Sequence, residues 1–254
     1  MIKKFGMLMA LSATVCTGVF AAEEVLKLSS EGDFPSKMVE ADGEQVFETV
    51  PGILKSKQAF EVDTEKTYIL KGKFRNVSGK EVNLYFGFVP LDSKDGEILP
   101  QHVTRVAKSE TELLEEVKPG DKIIKVKDGE AWAKATNIWV VAFNVEEDLS
   151  DLPNRQVSPS IVSVEGNEIT LKTPIAKAYP AGTKVRAHKL GGVYLYTAAS
   201  RHPLSDQWKE FSGKARGKSW RPGTAKAKIL IYPHPSKDNR GAPIQFKDIT
   251  VETE

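Results

Sequence analysis

Apolar and polar residues alternate with a period of two along most of the chain. Over 67–76 (TYILKGKFRN), Tyr68, Leu70, Gly72 and Phe74 alternate with a more polar set. Over 81–89 (EVNLYFGFV), Val82, Leu84, Phe86 and Phe88 alternate with Asn83, Tyr85 and Gly87. A period of two places one set of side chains on each face of a β-strand. The intervening 77–80 (VSGK) reads as a hairpin turn, so these two runs are predicted to be adjacent antiparallel strands. Further strands are predicted over 121–126 after Pro119-Gly120, and over 160–164 and 168–172 around Glu165-Gly166-Asn167. Others follow over 183–189, over 193–198 after Gly191-Gly192, over 225–232 and over 244–252. The run 137–144 (NIWVVAFN) is apolar without alternation. It is predicted to be buried on both faces, with Trp139 in the core.

Helical periodicity is scarce. The one helix candidate is 109–116, with Ser109 or Thr111 as its N-cap. The stretch 145–160, with its acids and Pro153-Asn154, reads as a long surface loop. No fixed internal period points to a solenoid or propeller. Many short strands at irregular spacing predict an all-β chain of the jelly-roll or β-sandwich type.

The first residues read as an address. Lys3 and Lys4 precede an apolar run over 5–20, with Val19 and Ala21 at the −3 and −1 positions of a cleavage site. This is the pattern of a signal peptide over 1–21, cut after Ala21 or one residue later. The run is too short, and too rich in Ser, Thr and Gly, for a membrane anchor. Ala13-Thr14-Val15 before Cys16 makes a poor lipid-attachment site. Cys16 is the only cysteine. The mature chain is therefore expected to have no disulfide, thiol nucleophile or thiolate metal site, and to rely on its core. The expected location is secreted or periplasmic in a bacterium, with no transmembrane segment in the mature chain.

The 254 residues carry 36 Lys+Arg and 34 Asp+Glu. Removing Lys3 and Lys4 with the leader equalises the two. That balance argues against a general nucleic-acid binder. The distribution is uneven: acids are in excess up to Ala181, and bases from Gly182 to Lys247. The bases are densest at Lys209, Lys214, Arg216, Lys218 and Arg221. One reading is a surface for uronate or sulfate groups of an anionic polysaccharide, which Arg holds with a bidentate fork. The other is a solvated face cancelled by acidic strands.

Two parts of the chain resemble the jelly-roll carbohydrate-binding modules of secreted bacterial proteins. One is 64–98 (TEKTYILKGKFRNVSGKEVNLYFGFVPLDSKDGEI). The other is 206–217 (DQWKEFSGKARG) followed by 221–252. Their order is an early strand pair, a Trp–spacer–Phe-Ser-Gly phrase, a Pro-Gly-Thr turn, a penultimate strand and a last strand with an acid. Between them, 117–132 and 164–188 look like a small β insertion. The resemblance covers about half of the mature chain and concerns strand grammar rather than a catalytic motif. It implies a sandwich in two parts, 22–102 and 193–254, around an inserted β subdomain, 103–192. It also implies a glycan partner. In the last strand many such modules carry paired acids, whereas here Lys247 precedes Asp248.

Sugars are held by aromatic rings against their C–H faces and by planar polar groups at their hydroxyl rims. Candidate ligand-binding residues are Tyr85 with Asn83, Tyr194 with Tyr196, and Trp208 and Trp220, with Arg75, Arg216 and His234 as donors. The alternative is that these aromatics complete the core, as Trp132 is expected to do in the insertion. No cofactor is expected apart from a structural calcium. Its candidate ligands are Asp92, Asp95 and Glu97, or Glu146, Glu147, Asp148 and Asp151; these acids also read as solvated. His102, His188, His202 and His234 lack zinc spacing. No nucleophile-elbow, zinc-protease or phosphate-loop motif occurs. Asn76-Val77-Ser78 is a glycosylation sequon in a predicted turn. The sequence therefore leads to an exported, non-catalytic carbohydrate-binding protein. The alternatives are a structural or adhesive envelope protein, or a polysaccharide lyase using the region of Gln101-His102.

Overall fold

The computed structural model describes residues 22–235 and 241–254, so the predicted leader 1–21 lies outside the described residues. The chain is all-β, with strands β1 (Glu23–Leu28), β2 (Lys37–Ala41), β3 (Glu44–Thr49), β4 (Leu54–Glu61), β5 (Thr67–Asn76), β6 (Val82–Leu91), β7 (Thr111–Glu112) and β8 (Ile123–Lys125). They are followed by β9 (Trp139–Phe143), β10 (Ile161–Glu165), β11 (Glu168–Leu171), β12 (Lys184–Lys189), β13 (Leu195–Pro203), β14 (Lys209–Arg216), β15 (Lys226–Pro235) and β16 (Ile244–Thr253). Three short 3-10 turns, at Pro100–His102, Glu130–Trp132 and Gly217–Ser219, complete the elements.

Two antiparallel sheets form a β-sandwich. The larger runs β14-β5-β16-β3-β2, with β1 on the remaining stretch of β16; the smaller runs β13-β6-β15-β4. Alternation decides which side chains meet between them. Tyr68, Leu70 and Phe74 of β5, Leu84, Phe86 and Phe88 of β6, and Phe246 and Val251 of β16 share one buried cluster. Phe74 meets Phe86 at 4.8 Å between ring centroids and Phe246 at 5.9 Å, while Phe47 stacks on Phe246 at 4.9 Å. Burial of each ring contributes on the order of 2–3 kcal/mol before cavity terms.

The strands over 67–76 and 82–91 are present, but they do not pair with each other. β5 hydrogen-bonds to β14 and β16, and β6 to β13 and β15, so both are interior strands of different sheets. A hairpin would set their apolar faces side by side in one sheet. Here the same faces oppose each other across the core, and the link 77–81 is an arch between layers. Asn76 anchors the arch: its side-chain amide donates to Lys80 O, and its Oδ1 accepts from Ser78 N (3.0 Å) and Ser78 Oγ (2.7 Å). With only 6% of its surface exposed, the asparagine of the sequon is a turn anchor.

Strands β7 to β12 lie between β6 and β13 and gather around a second core. It contains Leu113, Val126, Trp132, Val141, Phe143, Ile169, Tyr179 and Val185. Its sheets run β10-β11-β8 and β7-β12-β9. The β10–β11 hairpin turns at Gly166, which has φ +57°, as its turn residues suggest. The helix predicted over 109–116 is replaced by extended chain. Leu113 and Val117 both point inward, and their spacing of four imitates a helical stripe. Their N–H groups instead donate to distant carbonyls, Leu113 to Thr183 and Val117 to Tyr179.

A buried polar network ties 145–160 to this second core. Arg186 is fully buried and its Nη2 meets Asp151 Oδ2 at 2.9 Å. Its Nε donates to His188 Nε2 (3.1 Å), and His188 Nδ1 donates to Gln101 O (2.7 Å). Asn154 bridges Asp151 to Phe143 O. This bonding requires a neutral imidazole. Burial, reinforced by the Arg186 charge, holds His188 below the ordinary histidine value. Burial does the same for His102, reinforced by Arg155.

Two predictions follow from these contacts. Asp151→Ala, which leaves Arg186 buried without its carboxylate, should cost about 3–5 kcal/mol in denaturant unfolding. The histidines give the pH sign. Their folded pKa lies below the unfolded value of about 6.5, so the unfolded chain takes up protons first as pH falls. Their contribution to stability is complete above that value and is lost as pH falls from there towards the folded pKa. The slope reaches at most about 1.4 kcal/mol per pH unit for each histidine. Unfolding curves between pH 7.5 and pH 5 should show this fall, and His188→Gln should flatten it.

Candidate functional site: a tyrosine cluster on the smaller sheet

Residues of β6 and β15 that do not face the core point away from the larger sheet. There Val89, Leu91 and Leu230 form a small buried cluster against which Tyr194 and Tyr196 pack; beside it β6 presents Asn83 and Tyr85, and β15 presents Tyr232 and His234. The register sets Tyr232 opposite Tyr85 and His234 opposite Asn83. Tyr196, at the start of β13, closes on Tyr85 at 4.9 Å between ring centroids, and Tyr232 stacks beside Tyr85 at 5.6 Å. Tyr194 lies 6.3 Å from Tyr196, and His234 lies 5.3 Å from Tyr232. β13 can approach this closely because Gly87 lies beneath it: a Cβ there would fall 1.8 Å from the Leu195 carbonyl oxygen.

The four tyrosines are half-buried, and His234 is exposed. Burial and the neighbouring Tyr194, Tyr85 and Tyr232 hydroxyls raise the Tyr196 pKa above the ordinary phenol value. Tyr196 therefore stays neutral at physiological pH. The arrangement offers apolar ring surface with several hydroxyls, one amide and one imidazole at its rim. At the end nearest Tyr194, Lys55 of β4 reaches over that ring at 5.3 Å and forms an ion pair with Glu97.

The predicted site residues divide into three groups. Tyr85, Asn83, Tyr194, Tyr196 and His234 come together in the cluster just described. Arg75 and Trp208 lie together elsewhere, beside β16 of the larger sheet. Arg75 Nη1 meets Asp42 Oδ2 at 2.6 Å, its Nε donates to Gln245 (2.9 Å), and its guanidinium lies 4.6 Å from the Trp208 ring centroid. Trp208 Nε1 donates to Asp42 (3.0 Å), and Lys247 lies 4.8 Å from the same ring. The hydrogen bond from Trp208, with the Arg75 charge, holds the Asp42 carboxyl below its usual range. Trp208 is thus occupied by cations of its own chain. Arg216 ends β14 opposite Thr67 and is exposed, away from the tyrosines.

Trp220 needs a correction. It is 4% exposed and belongs to the sandwich core. β14 stops at Arg216, and the 3-10 turn that follows carries the chain inward. The indole then packs against Phe88 (5.1 Å) and Tyr68 (5.7 Å). It presents no face to a ligand.

Sequence reasoning missed Tyr232 and Lys55, and read Arg221 only as part of the basic stretch. Tyr232 had a signal: it shares the phase of Lys228 and Leu230, opposite to Ile229 and Ile231. Lys55 had none, since only the sandwich brings β4 near the start of β13. The basic stretch disperses on folding. Lys214 pairs with Glu254 at 2.7 Å, Lys209 lies against His202, and Arg221 binds backbone carbonyls. The outer face of the larger sheet is a lattice of ion pairs: Lys71–Glu252 at 2.7 Å, Lys73–Asp248 at 3.0 Å and Lys37–Glu48 at 2.7 Å.

The acid-rich loops are likewise engaged. Asp92 meets Arg155 at 2.5 Å, Asp95 meets Lys226 at 3.0 Å, and Glu97 meets Lys55. Asp151 holds Arg186, Glu147 faces Lys184 at 3.4 Å, and Asp148 accepts from Ser150. Among the described residues, no group of three or more His, Cys, Asp or Glu is placed to hold a metal ion. His102, the residue named in the lyase alternative, is buried and its Nδ1 accepts from Leu99 N (3.1 Å). A separate cleft of about 760 Å³, lined by Phe34, Ser36, Val50 and Lys57 among others, contains none of the predicted residues.

No family model, curated protein or solved structure matches this chain. The site therefore has to be read from its own chemistry. Because Asp92, Asp95, Glu97, Glu147 and Asp151 already have cationic partners, millimolar calcium should leave the thermal unfolding midpoint unchanged. A rise of several degrees in a calorimetric scan would show that a loop rearranges to bind the ion.

Proposed function

We propose that the protein is a non-catalytic carbohydrate-binding protein and that the tyrosine cluster of the smaller sheet is its binding surface. The observation that supports this most is the meeting of Tyr85, Tyr196 and Tyr232 from three neighbouring strands, with Asn83 and His234 at the rim. Ring surface suits the apolar C–H face of a sugar, and neutral polar groups suit its hydroxyls. An uncharged glycan fits this surface better than the anionic one suggested by the basic stretch. The cations of that stretch are engaged with carboxylates and carbonyls or lie away from the tyrosines. The leader-like start of the sequence supports export to the periplasm or beyond. Among the described residues, no helix is long and apolar enough to cross a membrane.

A structural or adhesive role is the second reading, and one observation favours it. Leu114, Ile123 and Val162 of the inserted strands are each about half exposed. Exposed apolar side chains of this size are a common ingredient of contact surfaces.

On the glycan reading, Tyr85→Ala and Tyr232→Ala should each weaken binding roughly tenfold or more on an array of neutral oligosaccharides. Arg216→Ala and Trp208→Ala should leave it within about twofold. Full binding by the Tyr85→Ala/Tyr232→Ala double variant would defeat the reading.

A further inference from the structure

One end of the tyrosine cluster differs from the rest. After β6 the chain folds back, so that Glu97 bridges to Leu91 and Ile98 N donates to Pro90 O (3.0 Å). This return brings the Glu97 carboxylate to the Lys55 ammonium, beside the Tyr194 ring. The two charged side chains are 36% and 32% exposed, so they are partly sheltered yet open to solvent. Partial burial works against the charged form of Lys55, and Glu97 outweighs it, leaving the lysine pKa above its ordinary value. Lys55 therefore keeps its charge. An ammonium has three N–H donors, of which one points to Glu97 and a second engages the Tyr194 hydroxyl, and the carboxylate has a second oxygen. The corner thus sets a donor and an acceptor side by side against an aromatic ring.

Arg221 holds that corner in place. Its Nη1 donates to Ile98 O and to Val193 O (2.8 Å), and its Nη2 donates to Gly192 O (2.8 Å). Ile98 follows Glu97 and Val193 precedes Tyr194. One guanidinium therefore fixes both chain segments that supply the corner. From the inserted strands, Arg155 Nη1 adds a bond to Glu97 O (3.2 Å). The acceptors of Arg221 are all carbonyls, in the fixed fork geometry that a lysine does not reproduce.

We propose that the Lys55–Glu97–Tyr194 corner selects an uncharged sugar bearing two adjacent hydroxyls, and that Arg221 is the positioning residue that builds it. One hydroxyl accepts from the ammonium while its neighbour donates to the carboxylate, beside the Tyr194 ring over which Lys55 lies. A uronate sets its charge against Glu97, and an amino sugar sets its charge against Lys55. Both are disfavoured by like-charge repulsion in a partly sheltered site. This inference rests on the glycan-binding reading and adds the class of sugar.

The test uses the full chain and paired probes, namely neutral cello-, xylo- and manno-oligosaccharides and oligomeric glucuronate, mannuronate and galacturonate. Wild type should bind at least one neutral probe and prefer it to every uronate. Glu97→Gln keeps the shape of the side chain. It should weaken neutral binding roughly tenfold and shrink the preference over uronates, with the unfolding midpoint nearly unchanged. Arg221→Lys should shrink the same preference, a ratio that a general loss of folded protein does not move. If Tyr85→Ala abolishes binding while Glu97→Gln and Lys55→Met leave affinity and preference intact, the corner is not the selecting element and the tyrosine reading stands. Preference for a uronate by wild type overturns the corner alone. Absence of binding to every probe, or binding indifferent to Tyr85→Ala, removes both.

Discussion

Phe74 against Phe86, 4.8 Å apart, is the contact on which the arrangement depends. It places two consecutive strands in opposite layers, so each becomes the middle of its own sheet. The rings share a dry layer with Phe47, Phe88, Phe211 and Phe246. Because the period of a strand is two, burying Phe86 and Phe88 forces Asn83 and Tyr85 outward. Burying Ile229 and Ile231 does the same for Tyr232. The tyrosine face is thus a consequence of the core: a register slip of one residue would exchange the two.

The two outer faces of the sandwich differ in what they can offer a partner. On the larger sheet many cations are matched to carboxylates, as Lys37, Lys71, Lys73, Arg75, Lys214 and Lys247 are. Exposed pairs of this kind add little stability, but they leave little unmatched charge with which to attract a ligand. On the smaller sheet four tyrosines gather beside a small aliphatic cluster, with polar groups and the Lys55–Glu97 pair at their rim. Such rings lose little conformational freedom when a ligand covers them, which is why tyrosine recurs at recognition surfaces. On this physical ground the tyrosine face suits a ligand better than the ion-paired face, independently of the glycan proposed for it.

The inserted strands have their own core and their own polar centre. The Arg186–Asp151–His188 network lies on the face of β12 opposite to Val185 and Ala187, against the 145–160 segment, and each of its members has a partner. Networks of this kind confer specificity only when complete. Gln101 O, which receives the His188 proton donor, lies in the segment leading out of the sandwich. Arg221 reaches the same outgoing segment and the returning one from the other side. The insertion is thus bonded to the sandwich at both of its connections, and the charged corner of the tyrosine cluster lies at that seam.

The sequence by itself determined the all-β class, most strand positions and the core phase of 67–76, 82–91 and 225–232. These follow from alternation, a local property of the chain. It also placed Tyr85, Tyr194, Tyr196, Asn83 and His234 among the candidates, because they are out of phase with the core or close to strand ends. Only the tertiary structure decided which candidates share a surface. Alternation says which face a side chain takes within its strand, and says nothing about which strand lies next to it. That is why β5 and β6 read as a hairpin, why Leu113 and Val117 imitated a helix, and why Trp220 looked solvent-facing amid Lys and Arg. It is also why the ion pairs of Lys55, Arg75 and Asp151, each joining residues far apart or out of phase, left no trace in the linear pattern.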